Sequence, residues 1–190
     1  MKVSSDAFER AKKIKLIIFD VDGVLTDGKL YYGDNGEIFK AFNCHDGFGI
    51  TAAHKLGLKT AIITGRDSKI TSARAKYLGI SVVKQGCMNK RTAYKEVKVE
   101  FNLTDEEIAY VADDVIDLPV FVQVGFRAAV ADATSEVKDC AHFIADNIGG
   151  SGAARDAIEF ILKAQGKWSE LIRDYVTVED SANNLVNVGQ

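Results

Sequence analysis

The chain has 190 residues, 47% of them hydrophobic and 27% charged, with a formal net charge of −3. That size and balance suit one globular domain and exclude a disordered, collagen-like or coiled-coil chain. No basic face is expected, so nucleic acid is not an expected partner, and no apolar run reaches the ~20 residues that cross a bilayer. The N-terminal stretch MKVSSDAFERAKKIK carries no apolar core of signal-peptide type. Cys44, Cys87 and Cys140 are widely spaced and make neither a disulfide framework nor a zinc pattern, which points to a reducing, cytoplasmic setting.

In chain order, KLIIFD (15–20) reads as a buried strand. KLYY and EIFKAF flank the turn GDNG and predict a β-hairpin over 29–42. A helix over 47–56 leads to a strand over 58–64, then a helix over 68–78 and a strand over 80–83. Next come a helix over 90–101, a single turn opened by the capping-box pair Thr104 and Glu107, and a strand over 108–113. Pro119 fits the first turn of a helix over 117–124, and a strand follows over 126–131. GGSG (149–152) is expected to be a flexible joint, followed by a helical segment over 150–176 broken at Gly166. Residues 177–190 have weak patterning and are expected to be a loose tail. The alternation predicts a single α/β domain over 1–176, a doubly wound, Rossmann-like parallel sheet with a small hairpin insertion.

Four stretches carry chemistry. Asp20-Val21-Asp22-Gly23 follows directly on a buried strand, where open α/β sheets bind ligands. A carboxylate there can attack or bind metal, and a second one two residues on can swing over it; Asp and Gly also suit a plain turn. Thr64-Gly65-Arg66 ends the next strong strand and combines a hydroxyl, a free N–H and a cation, as an anion cradle does, although such turns are frequent. Lys90 opens a helix, where the positive dipole end disfavours it unless an anion is near; a lone lysine is ordinarily a solvated charge. Asp113, Asp114 and Asp117 follow an apolar strand and would repel one another without a cation, and hard oxygen ligands favour Mg²⁺. An acidic helix start accounts for Asp114 and Asp117 but not for Asp113.

Taken in order, Asp-x-Asp-Gly, Thr-Gly-Arg, Lys and Asp-Asp-x-x-Asp resemble the haloacid dehalogenase-like phosphatase superfamily. The resemblance implies Asp20 as nucleophile, Asp22 as general acid and base, and Thr64 and Lys90 as holders of the phosphoryl oxygens. It implies Mg²⁺ on Asp20, Asp22 through its main-chain carbonyl, and Asp113, with Asp114 and Asp117 behind them. Asp22 has no task in a dehalogenase acting on carbon, so its presence favours phosphoryl transfer.

The space between Asp22 and Thr64 holds only the hairpin and one helix, and strand and helix follow Arg66 at once, so no cap domain is expected. AKKIKLIIFDVDGVLTDG, KAFNCHDGFGI, AIITGRDS, VADDVIDLPV and GGSGAARDAIEFILKAQGKW resemble the phosphatases of 3-deoxy-D-manno-octulosonate (KDO) 8-phosphate. That resemblance implies a cytoplasmic homotetramer joined through its hairpins, acting on a phosphorylated sugar acid in lipopolysaccharide biosynthesis. It also implies that Asn43, Asp46 and Gly47 touch the sugar, that Arg66 and Arg74 add positive charge, and that Arg155 reaches the site on a C-terminal segment that closes over substrate. Departures are Ala112 where glycine is usual, and His45 and Thr51 where basic residues are common. They leave a nine-carbon sugar acid 9-phosphate as the alternative substrate. A non-catalytic scaffold on the same fold could have lost Asp20 or Asp22, and both are present.

Overall fold

The computed structural model describes residues 2–177. Its elements are β1 (Lys2–Val3), α1 (Ala7–Lys12), β2 (Leu16–Phe19), β3 (Tyr31–Gly33), β4 (Gly36–Phe39), α2 (Cys44–Lys55), β5 (Lys59–Ile63), α3 (Lys69–Leu78), β6 (Val82–Lys84) and α4 (Lys90–Phe101). A 3-10 turn at Asp105–Glu107 precedes β7 (Ile108–Ala112), and another at Val115–Asp117 precedes α5 (Leu118–Phe121). Then come β8 (Phe126–Ala129), α6 (Ser135–Cys140), β9 (Phe143–Ile144), α7 (Ala153–Ala164) and α8 (Trp168–Val176).

One sheet has the order β1-β9-β8-β7-β2-β5-β6, parallel except where β1 joins β9. Every residue of β2 and β7 is buried, as expected of central strands covered on both faces. From β2 the chain winds outward through β5 and β6, then returns to build β7, β8 and β9 on the other side. The order reverses between β2 and β7, and ligands bind at the carboxyl ends of such a pair. Phe19 is level with Val111 across this pair, so Asp20 and Asp113 emerge on the same rim.

Between β2 and β5 the chain holds the separate antiparallel pair β3–β4 and the helix α2. Tyr31 and Phe39 stack across that hairpin, while Leu30, Tyr32, Ile38 and Phe39 remain exposed. The strands predicted over 15–20, 58–64, 108–113 and 126–131 stand with shorter ends, while β6 runs over 82–84 against the expected 80–83 and the hairpin strands shift toward the turn, to Gly33 and Gly36. α2 begins at Cys44, because the Asn43 side chain caps it by accepting from the His45 N–H at 2.7 Å. The helix expected over 117–124 is a 3-10 turn and one α turn. β1, β9, α1 and α6 were not foreseen; the two strands have two residues each, too few for a period.

The flexible joint expected over 149–152 is corrected. A Cβ on Gly149 would stand 1.8 Å from the Gly23 carbonyl oxygen, and one on Gly150 would stand 2.4 Å from the Thr26 carbonyl carbon. The Gly150 N–H donates to Val24 O at 2.9 Å and the Gly149 N–H to Asp132 at 2.9 Å. These glycines allow two backbones to touch. Of the segment expected to close over substrate, the part over 153–164 is fixed in place, since α7 buries Ala153, Ala154, Ala157, Ile158, Ile161 and Leu162 in the core. Small residues on α2 (Gly49, Ala52, Ala53) and on α7 let the two helices approach closely. Of the expected tail, residues 178–190 lie outside the described residues.

Candidate active site

Strand β2 delivers Asp20 to the rim, with its N–H donating to Val111 O at 3.2 Å and its residue surface 3% exposed. The chain turns at once, and Gly23 has φ +91°. A Cβ there would fall 2.1 Å from Asp113 Oδ2, so glycine admits the β7 carboxylate to the turn. At the end of β5, Thr64 O accepts from the Cys87 N–H at 3.0 Å, and Arg66 O accepts from the Gly86 N–H at 3.3 Å. These bonds pin the loop after β6 and bring the start of α4 to the same rim.

Lys90, the first residue of α4, is 2% exposed. Its Nζ lies 2.9 Å from Asp20 Oδ1 and 2.6 Å from Asp117 Oδ1, which also accepts from the Tyr110 hydroxyl at 2.8 Å. The anion predicted beside this lysine is a pair of carboxylates. Burial opposes the lysine's charge, yet Asp20 and Asp117 outweigh it and hold the ammonium above its ordinary value. Burial and the neighbouring Asp117 push Asp20 upward, while burial with Asp20 and Asp117 pushes Asp113 up to about 8.

Carboxylate oxygens of Asp20, Asp113 and Asp117 lie within 4.8 Å of one another. Three carboxylates against one ammonium leave two negative charges that only protons or a cation can balance. Asp113 Oδ1 and Asp117 Oδ2 are buried without a hydrogen-bond partner, and Asp20 Oδ1 meets Lys90 outside hydrogen-bonding geometry. An all-oxygen donor set with orphaned lone pairs fits a hard divalent cation. Asp117, expected only behind the metal, stands in the same cluster. Asp114 instead caps its own turn, accepting from the Val115 N–H at 2.7 Å.

Asp22 and Arg66 complete an open cleft of about 260 Å³ with Asp20, Thr64, Asp113 and Asp114. Asp22 Oδ1 accepts from Lys40, whose Nζ also reaches Glu37 at 3.1 Å. Burial opposes the charge of Lys40, and its bonds to Asp22 and Glu37 raise it above the ordinary value. Arg66 Nε is 3.9 Å from Asp22 Oδ2, and its guanidinium donates to the Tyr32 hydroxyl on the hairpin.

The other expected sugar contacts are not brought to this cleft within the chain. Asn43, Asp46, Gly47 and Arg74 line a separate small cavity with Val21 and Leu25. Asp46 is buried with both oxygens engaged, accepting from the Arg155 N–H at 2.8 Å and the Gly152 N–H at 3.3 Å. It ties α2 to the start of α7. Gly47 leaves room for the Arg74 guanidinium, and Arg74 lies over the rings of Phe42 and Tyr77. The Arg155 guanidinium lies over Phe48 and Trp168 and pairs with Glu159 at 3.1 Å.

Sequence reasoning missed Lys40 and Tyr110. Tyr110 had a signal, since a phenol inside an otherwise apolar buried strand needs a polar partner. Lys40 opens the family-like stretch KAFNCHDGFGI, but its partners are distant in the chain or on an exposed hairpin and nothing in that stretch names them.

Residues 65–155 match the haloacid dehalogenase-like hydrolase family. The chain is 44% identical over 168 residues to 3-deoxy-D-manno-octulosonate 8-phosphate phosphatase KdsC of Escherichia coli K12, covering 88% of this chain and 89% of that one. It is similar to the structure of a probable YrbI family phosphatase from Pseudomonas syringae, with a TM-score of 0.90, 45% identity and coverage of 93% and 100%. It is also similar to the 3-deoxy-D-manno-octulosonate 8-phosphate phosphatase of Moraxella catarrhalis in complex with magnesium, phosphate and KDO, with a TM-score of 0.87, 37% identity and coverage of 90% and 98%. Rim geometry, fold and extended identity agree: the chain belongs to the 3-deoxy-D-manno-octulosonate 8-phosphate phosphatase family of haloacid dehalogenase-like hydrolases.

Proposed function

We propose that this protein is a Mg²⁺-dependent phosphomonoesterase that hydrolyses KDO 8-phosphate to KDO and inorganic phosphate, a step in lipopolysaccharide sugar biosynthesis. The observation that carries this reading is 44% identity along 88% of the chain to an enzyme of that name. The carboxylate rim supplies the chemistry. Asp20 attacks phosphorus in line and becomes an aspartyl-phosphate, so one hard displacement is split into two. Asp22 gives its proton to the leaving sugar oxygen, then takes one from the water that cleaves the acyl phosphate. Lys90 and the Thr64 hydroxyl hold the phosphoryl oxygens, where negative charge is concentrated, and Arg66 on the rim meets the substrate's anionic groups. Asp20, Asp113 and the main-chain carbonyl of Asp22 would hold the metal, with Asp117 in the same carboxylate cluster. When bound, Mg²⁺ supplies charge neutralisation and orientation of the phosphoryl group.

Among the described residues no helix is long and apolar enough to cross a membrane, and all three cysteines are free, which supports a cytoplasmic reading. We propose a homotetramer joined through the hairpin. Tyr32 and Ile38 are 54% and 61% exposed there, and a lone two-stranded hairpin is marginal in water.

The test is phosphate release from KDO 8-phosphate and from a nine-carbon sugar acid 9-phosphate, with Mg²⁺ or with excess chelator, and light scattering on the same sample. Turnover of the eight-carbon ester that chelator abolishes and Mg²⁺ restores is the expected result. Preference for the nine-carbon ester overturns the substrate, full activity in chelator overturns the metal, and a monomeric mass overturns the assembly.

A further inference from the structure

Lys40 follows β4, where the hairpin leads back toward α2. It opens the stretch KAFNCHDGFGI, which by itself implies no task for it, and its side chain is 2% exposed. Lysine is rarely buried so deeply unless paired, and here it is paired twice, to Asp22 Oδ1 and to Glu37 Oε1 at 3.1 Å. Glu37 Oε2 accepts from the Ser68 hydroxyl. Ser68 is itself fixed, capping α3 through the Thr71 N–H at 3.2 Å and donating its own N–H to Gln85 at 3.0 Å. A chain of side chains, Asp22–Lys40–Glu37–Ser68, thus runs from the turn after β2, through the hairpin, to the start of α3.

An ammonium only donates, so the Asp22 oxygen it occupies cannot carry a proton pointing at it. Oδ2 is buried without a hydrogen-bond partner, with Arg66 Nε 3.9 Å away, so the bond from Lys40 is what fixes the direction in which the carboxyl faces. We propose that Lys40 is a positioning residue for the general acid: its bond to Oδ1 fixes the Asp22 carboxyl at the cleft, with Glu37 and Ser68 anchoring it. The hairpin then has a second role, since the element whose outer face is apolar and exposed also sets the aim of Asp22. This inference rests on the phosphatase reading above and adds Lys40 to it.

The experiment exploits the leaving group. The alkoxide of a sugar acid phosphate needs a proton as it departs, whereas p-nitrophenolate does not. kcat/KM, which reports the steps up to departure of the leaving group and excludes hydrolysis of the shared aspartyl-phosphate, is measured on KDO 8-phosphate and on p-nitrophenyl phosphate for wild type, Lys40→Met, Asp22→Ala and the double variant. Lys40→Met is expected to lose at least tenfold more on the sugar ester than on the aryl ester, as Asp22→Ala does. Adding it to Asp22→Ala should widen that gap by less than twofold, because both changes act on one proton. Equal losses on the two esters, as general damage to the fold would give, overturn the proposal, and so does a further tenfold gap in the double variant. If Lys40→Met does not fold, Lys40→Met combined with Glu37→Gln carries the same comparison without an unpaired hairpin carboxylate. Wild-type protein that cleaves the aryl ester but not KDO 8-phosphate counts against the substrate reading alone. The leaving-group gap is then read on glycerol 3-phosphate, another primary alcohol ester.

Discussion

Asp113 and Asp46 are two carboxylates drawn out of water, and burial pushes both upward, to about 8 and about 6. Their surroundings differ in kind. Asp113 stands among other acids with Oδ1 unpartnered, at a turn where only glycine admits it. Asp46 has each oxygen bonded to a backbone N–H at the start of α7. An acid whose lone pairs the fold leaves empty is arranged for something that arrives, while an acid whose lone pairs the fold fills is part of the frame. Both residues were expected at the site from the sequence, and this distinction sorts them.

Three measurements press on that contrast. The largest effect is expected at the rim, where Asp20→Asn keeps shape but removes the attacking anion. kcat on KDO 8-phosphate should fall by about 10⁴-fold or more with the fold intact by circular dichroism. Activity within tenfold of wild type would place the nucleophile elsewhere.

The next effect falls on the frame. Gly149→Ala puts a methyl into the Gly23 carbonyl, and backbone must move to accept it. Denaturant unfolding should show a loss of about 2–4 kcal/mol. The Asp20–Asp22 turn is displaced with Gly23, so activity should drop as well. An unchanged midpoint would revive the flexible joint that sequence suggested.

The smallest effect is a pH dependence. Burial raises Asp46 from 3.8 to about 6 against the two N–H groups that favour its charge. The folded chain therefore holds a proton there that the unfolded chain has released. That contribution to stability is fully present below pH ~4 and is lost as pH rises through ~6, by at most about 3 kcal/mol at ~1.4 kcal/mol per unit. Comparison with Asp46→Asn isolates it from other groups, and wild type should lose ground to the variant between pH 4 and pH 7. A flat difference would mean that the α7 N–H groups hold the charged form at no cost.

Much of the site was legible because its residues sit at strand ends. Runs such as LIIF and IAYVA announce buried parallel strands, and the residue after each must lie on the rim. Strand-end position put Asp20, Thr64 and Asp113 on the rim, and the family resemblance supplied their roles. Lys90 was legible as an oddity, a cation at a helix start. The sugar contacts were not read in this way but carried over from family resemblance, and within one chain Asn43, Asp46, Gly47 and Arg74 border another cavity. The Gly-rich 149–152 stretch looked loose because glycine is permissive both in loops and in tight contacts, and composition does not tell the two apart.

The sequence by itself determined the parallel sheet, the hairpin and the order of the four chemical motifs, because local hydrophobic period and strand-end position are written in adjacent residues. Only the tertiary structure decided which polar groups meet. It turned Lys40 onto Asp22, closed Tyr110 and Lys90 around Asp117, and gave both oxygens of Asp46 to α7. Those pairings join residues from 7 to 109 positions apart, and whether a buried carboxylate is satisfied or left open depends on them.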